Sequence, residues 1–320
     1  MLLIGIDEAG YGPLLGPLVI SGVAMVLPAE LTGIGLWQLF PNSLTDGVKQ
    51  ARGRIVIADS KKVYRGRGRD IRELERGTLA GISLAEETEP KELGDLLHTI
   101  SLEPDPHLCH PWYCHSPLSI PCEIEPSALK LSIGMLSREM TRVGAKLVAV
   151  KCVPLVEKRY NYLVQQTRNK SEVVFSQTIR LIMDITSRSQ EKTIMVNIDK
   201  QGGKDCYARN LLRAFPEADL TIKTEGPEES AYQMNFDGRS ISIHFCKKGE
   251  NHHLLIAWAS IVSKYIRELF MRQFNAYWCA MDPSLEHTAG YWEDGQRFIK
   301  AIEPLFKKTN ISADDLIRQL

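Results

Sequence analysis

The stretch LLIGIDEAGYGPLLGPLVISG, residues 2–22, decides how this chain is read. An apolar run stops abruptly at two adjacent carboxylates, Asp7 and Glu8. A loop containing Gly10, Gly12, Gly16, Pro13 and Pro17 follows, and a second apolar run begins. Short Val- and Ile-rich runs of this kind predict buried strands at 2–6 and 17–26, joined as a hairpin.

Composition narrows the field. The chain has 320 residues, 44% apolar and 24% charged, enough to bury a large core. Lys plus Arg and Asp plus Glu both total 39, so a globally basic nucleic-acid binder is not indicated, and only a local patch is open. No apolar run reaches the roughly 18 residues that span a membrane. The first strand starts almost at residue 1, and the cysteines number seven, mostly scattered. The expectation is a cytoplasmic protein with reduced thiols.

Beyond the hairpin, strands are expected at 54–62, 146–153, 193–199, 219–225 and 240–246. Residues 65–77 read as basic and then helical. Amphipathic helices are expected at 126–144, with Gly144 at the end, at 170–189 and at 251–274. Residues 81–125 are acidic, then dense in Pro, His and Cys, without periodicity, and read as an insertion. Strands first, then alternating helices and strands, predict an α/β layered sheet.

Asp7, Asp59 and Asp199 each follow an apolar strand-like run, and Glu250 stands between a strand and the helix expected at 251–274. Strand ends at the carboxyl edge of an α/β sheet are where such folds place their sites. Carboxylates gathered there repel one another unless cations neutralise them, and hard divalent cations with oxygen ligands do so. The plain alternative for each acid is a cap or turn residue. A dinucleotide fingerprint does not fit the glycine loop, because Pro13 and Pro17 intervene and a strand-like run follows instead of a helix. A loop bare of side chains at Gly10 and Gly12 instead lets a polymer backbone approach, where main-chain groups can contact a ribose 2′-hydroxyl.

DEAGYGPLLGP, DSKK, NID, KKGE followed by ASIVSK, and HTAGY occur in this order. Together they resemble the type 2 ribonuclease H family, ribonucleases HII and HIII, over roughly residues 1–76 and 146–295. The resemblance implies a ribonuclease H-like α/β fold, a mixed central sheet flanked by helices. It implies one catalytic domain over 1–320, interrupted by an insertion at about 77–145 and closed by a C-terminal helical segment at about 293–320. It also implies cleavage of the RNA strand of RNA–DNA hybrids with two Mg²⁺ or Mn²⁺ ions, by a monomer. Carried over by motif, the metal-binding and catalytic acids fall on Asp7, Glu8, Asp199 and Glu250, with Glu250 resembling the HIII choice. The substrate-binding positions fall on Gly10, Tyr11, Gly12, Lys61, Lys62 and Tyr291. Tyr11 departs from the family, since HII enzymes carry arginine between the two glycines. That change removes a cation with five donors and leaves junction preference open. Two further readings stand beside the enzyme: a non-catalytic hybrid-binding homologue, and a DNA-acting nuclease of the ribonuclease H-like superfamily.

Other features have two readings each. His107, Cys109, His110, Cys114, His115 and Cys122 could hold zinc, but their spacing favours a packed aromatic loop. The RGRGR stretch at 65–69 reads as a phosphate contact or a solvated turn. His252 and His253 read as helix-start surface residues, Lys264 and Arg267 as structural or solvated, and Trp258 as core.

Overall fold

The computed structural model describes residues 1–64, 70–309 and 311–319, so the RGRGR stretch lies outside the described residues. Nine strands are described. In chain order they are β1 (Leu2–Ala9), β2 (Leu18–Val26), β3 (Leu44–Thr45), β4 (Ile55–Val56), β5 (Lys146–Leu155), β6 (Thr193–Asp199), β7 (Asp219–Glu225), β8 (Glu229–Phe236) and β9 (Arg239–Cys246). Seven form one mixed sheet in the order β5-β2-β1-β6-β9-β8-β7, while β3 and β4 pair separately. β2 runs antiparallel to β1 and β5, whereas β6 runs parallel to β1 and β9. Helices cover both faces, which is the mixed α/β architecture expected from the sequence.

Alternation along β1 divides the core. Leu2, Ile4 and Ile6 join the cluster under the helix Lys170–Ser187, together with Ile20, Ile182 and Ile185. Leu3 joins the opposite cluster, with Val19, Val23 and the long helix Leu254–Met281. Both faces of the strand are therefore buried, which is why its sequence reads as a continuous apolar run. The long helix rests directly on β1. A β-carbon at Gly5 would lie 2.1 Å from the Leu255 carbonyl carbon and 2.4 Å from the Ile256 nitrogen.

The long helix was expected at 251–274 with an apolar stripe, but it runs to Met281 and is buried on nearly all sides. The segment read as an insertion supplies the cover. The helix Arg72–Glu86 presents Gly77 and Gly81 to Ile261 and Trp258, and the Trp258 indole donates to the Gly77 carbonyl at 2.8 Å. Buried Glu75 accepts from the amides of Cys122, Glu123 and Ile124, and from the Tyr265 hydroxyl at 2.7 Å. The segment is thus part of one core. The helix Pro126–Val143 ends at Gly144 in the left-handed region, φ 68°, as expected.

Between β6 and the long helix lies the meander β7-β8-β9, which contains the strands expected at 219–225 and 240–246 and adds β8 between them. β8 and β9 join through Asp237 and Gly238, both at positive φ, a turn that suits the right-handed twist of a hairpin. Among the described residues, no helix is long and apolar enough to cross a membrane.

Candidate active site

Register gathers the acids. Ile6 pairs with Ile198 across the parallel β1–β6 ladder, so Asp7 and Asp199 are the next residues on adjacent strands. Asp199 pairs with Cys246 of β9, and Glu250 lies in the turn that leaves β9. That turn is tucked inward. The Gly249 amide donates to Asp199 Oδ1 at 2.8 Å, and a β-carbon at Gly249 would meet Ile256 at 2.5 Å. On the helix side, the Ser263 hydroxyl donates to the Asp7 carbonyl at 3.1 Å. The Glu8 amide donates to Asp7 Oδ1 at 2.7 Å.

Asp7 is buried, while Glu8, Asp199 and Glu250 are half-buried. Burial first, then repulsion from Glu8 and Asp199, holds the Asp7 carboxyl well above the usual carboxylate range. Burial and Asp199 push Glu8 up to about 8, partly offset by the Lys61 ammonium. Burial and Glu250 push Asp199 up to about 7. Oε2 of Glu8 and Oε2 of Glu250 are buried without hydrogen-bond partners. Such atoms normally find a partner, and hard carboxylate oxygens under mutual repulsion suit a divalent cation. Among the described residues, no three acid, histidine or cysteine side chains converge closely enough, as they stand, to hold a metal ion.

Asp59 does not join this edge. β4 is only two residues long and belongs to the separate pair, and Asp59 caps the short helix Ser60–Val63 by accepting from the Lys61 amide at 2.9 Å. The cap reading is the correct one for this acid. Lys61 and Lys62 are both exposed, and the Lys62 ammonium donates to Asn251, which ties DSKK to the Glu250 turn. His252 is exposed, and half-buried His253 begins the long helix, its amide donating to the Gly249 carbonyl at 2.8 Å.

The glycine loop is held from several directions. Gly10 has φ 89°, and a β-carbon there would lie 2.6 Å from both Arg267 Nε and the Pro17 carbonyl oxygen. Gly12 faces open space, with no atom within 4 Å of where a side chain would begin. The Tyr11 ring lies beside Gly202 and 5.7 Å from the Lys170 ammonium. Gly290 of HTAGY accepts from the amides of Leu14 and Leu15 at 2.8 and 3.2 Å, so the loop bearing Tyr291 is bonded to the glycine loop. Tyr291 is 52% exposed.

Two arginines that sequence reasoning did not place at the site lie beneath these loops. Arg267, 1% exposed in side chain, donates to the carbonyls of Leu15 and Ala289 and lies 5.7 Å from the Tyr291 ring. Its helix also carries Lys264, Glu268 and Arg272, so charge alone does not single it out in the sequence. Arg318 donates to the carbonyls of Gly10, Tyr11 and Gly16, and no local pattern marks it.

The Cys/His-rich segment is a packed aromatic loop. His110 stacks on Trp112 at 4.4 Å, and Tyr113 meets Phe270 edge-on at 4.8 Å. All seven cysteines are free thiols. Buried Glu157 joins this segment to the site, since its Oε1 accepts from the Gly16 amide at 3.0 Å and the Tyr113 hydroxyl at 2.7 Å. Its Oε2 and His110 Nε2 are both buried without hydrogen-bond partners, 3.8 Å apart.

Burial pushes the Glu157 carboxyl from 4.5 to about 7, and burial pulls His110 down to about 4. The folded state therefore binds more protons than the unfolded state between those two values for Glu157. Glu157's contribution to stability falls as pH rises from about 4.5 to 7, by an amount on the order of 3 kcal/mol, while that of His110 rises between about 4 and 6.5, so the Glu157 effect is read as a difference between variant and parent. Glu157→Gln keeps an oxygen for Gly16 and Tyr113 but cannot ionise. Melting curves from pH 4 to 8 should show the variant level with its parent at the acid end. It should be several degrees more stable above neutrality, and parallel curves would overturn the assignment.

No protein-family model and no curated protein matches this chain. Solved structures similar to it include the following three. Ribonuclease HII of Archaeoglobus fulgidus, in its complex with PCNA, has 12% identity and a TM-score of 0.41, covering 100% of this chain and 94% of that one. Ribonuclease H2 of Pyrococcus horikoshii OT3 gives 12% and 0.41 over 99% of this chain and 92% of its own. Bst-RNase HIII in complex with Mn²⁺ gives 12% and 0.41 over 100% of this chain and 66% of its own.

Proposed function

We propose that this protein is a divalent-metal-dependent endoribonuclease that cleaves the RNA strand of RNA–DNA hybrids. One observation carries the reading. Two adjacent parallel strand ends and the turn after a third bring Asp7, Glu8, Asp199 and Glu250 together, with two buried carboxylate oxygens lacking partners. The ordered motifs that resemble the type 2 ribonuclease H family support the same assignment. Asp7, Glu8, Asp199 and Glu250 would hold Mg²⁺ or Mn²⁺, the family using two ions. Bound there, such ions acidify water and offset charge on a phosphodiester.

The chain's own groups do the rest. Rigid strand ends hold the acids in place. Gly10 and Gly12 leave room for a ribose backbone beside them, and open Gly12 sets no steric limit. Lys61 and Lys62 are exposed for phosphate contact on the side of Glu250. The half-exposed Tyr291 ring, on the segment bonded to the glycine loop through Gly290, would stack against a sugar.

The deciding experiment compares three labelled duplexes of one sequence: an RNA–DNA hybrid, a DNA duplex with one ribonucleotide, and an all-DNA duplex. Cleavage of the hybrid with Mn²⁺ or Mg²⁺, abolished by EDTA, is expected. Hybrid binding that EDTA leaves unchanged, with no cleavage, would point to a binding protein, and cleavage of the all-DNA duplex to a DNA nuclease.

A further inference from the structure

We infer that Arg318 is a positioning residue for the substrate loop, its buried guanidinium setting the backbone of residues 10–16 against which a nucleic-acid strand is read. The inference rests on the nuclease reading above. Arg318 is 2% exposed, and its Nη1 donates to the carbonyls of Gly10 and Gly16 while Nη2 donates to the Tyr11 carbonyl at 3.1 Å. Its own amide donates to the Leu14 carbonyl at 2.9 Å, and its guanidinium stacks 4.2 Å from the Tyr160 ring centre. Asn161 grips the chain on both sides, donating to the Ile317 carbonyl and accepting from the Gln319 amide, each at 2.8 Å.

A planar fork with five fixed donors can hold several carbonyls at once, whereas an ammonium is a point charge. The engaged carbonyls fix the peptide planes that contain them. Because a trans peptide is planar, its N–H points opposite to its C=O. The Tyr11 and Gly12 amides are thereby directed away from Arg318, toward the open side of the loop at Gly12. Those amides are donors suited to ribose or phosphate oxygens. Tyr11 brings no cation to the loop, and the carbonyls of Gly10, Tyr11 and Gly16 are held instead by a guanidinium from as far as 308 residues away.

The test compares full-length Arg318→Gln and Arg318→Lys with the parent. Both variants are expected to raise KM for the hybrid at least about tenfold, with kcat changed less than about threefold, and to reduce the preference for hybrid over all-DNA duplex. Lys keeps the charge but not the fork, so it should recover thermal stability without recovering KM. Amide hydrogen exchange should rise at residues 10–16 in both and stay unchanged in β6. Parental KM and hybrid preference in both variants would overturn the inference. If Arg318→Gln fails to fold, the Lys variant decides alone. If the parent itself neither binds nor cuts a hybrid, the functional reading falls, and loop exchange decides: unchanged protection at 10–16 would overturn the positioning role.

Discussion

Asp199→Asn is expected to slow hybrid cleavage by about 1000-fold, close to 4 kcal/mol of transition-state stabilisation, without loosening the fold. The substitution is nearly isosteric, and its amide oxygen can still accept from Gly249, the contact that Asp199 Oδ1 makes at 2.8 Å. Only the charge is lost. The folded pKa of about 7 lies above the unfolded one, so ionising Asp199 opposes folding increasingly as pH rises toward that value, and fully above it. In EDTA at pH 8 the Asn variant should therefore melt no lower than its parent, while initial rates with Mn²⁺ collapse. A variant that cuts within tenfold of the parent's rate would remove Asp199 from the catalytic set. The pairing of lost activity with retained or improved metal-free stability is the mark of an acid kept for binding charge, since clustered carboxylates burden the fold that carries them.

The largest effect on stability is expected at Gly5→Ala. The added carbon would meet the Leu255 carbonyl carbon at 2.1 Å and the Ile256 nitrogen at 2.4 Å. Both are backbone atoms of the long helix, so no rotamer change relieves the clash, and helix and strand must separate. A loss of about 3 kcal/mol is expected, or roughly 5–10 °C in melting temperature. Gly12→Ala is the control, because nothing lies within 4 Å of its β-carbon position, and its melting point should be that of the parent. Equal melting points for all three proteins would mean that the helix is not seated on β1 as described. Activity should fall with Gly5→Ala as well, because the same helix carries Ser263, which donates to the Asp7 carbonyl, and Ile256, which packs at Gly249, the donor to Asp199.

How far the sequence could be read follows from burial. β1, β2 and β6 were legible because both of their faces are covered and only apolar residues suit them. β8, ESAYQMNF, was not, since buried and half-exposed positions mix along it and its register comes from its neighbours. The helix Glu157–Thr167 was missed because it buries only Glu157, Tyr160 and Asn161, too few apolar positions for a stripe. Residues 81–125 were read as aperiodic, yet the helix Leu93–Ile100 buries Leu93, Leu96, Leu97 and Ile100, a helical period too short to stand out among the acidic and Pro-rich residues around it. Beyond it, a buried carboxylate and stacked aromatics attach the segment, and neither repeats along a chain. In the site, the acids that close core strands stood out, yet the same rule misplaced Asp59, whose strand is too short to belong to the main sheet. Arg318 carries no signal, since its partners are carbonyl groups, which every residue has.

The tethering of the glycine loop has a consequence for folding. β1 and β2 on either side of it pair as a local hairpin, but residues 10–16 are fastened by Glu157, Gly290 and Arg318, the first and last of them 141 and 308 residues away. Contacts so distant in sequence form only after much chain entropy has been lost. The strand ends that carry the acids can therefore be set before the loop between them takes its final shape, and the loop is expected to be the later of the two to gain protection from hydrogen exchange during refolding.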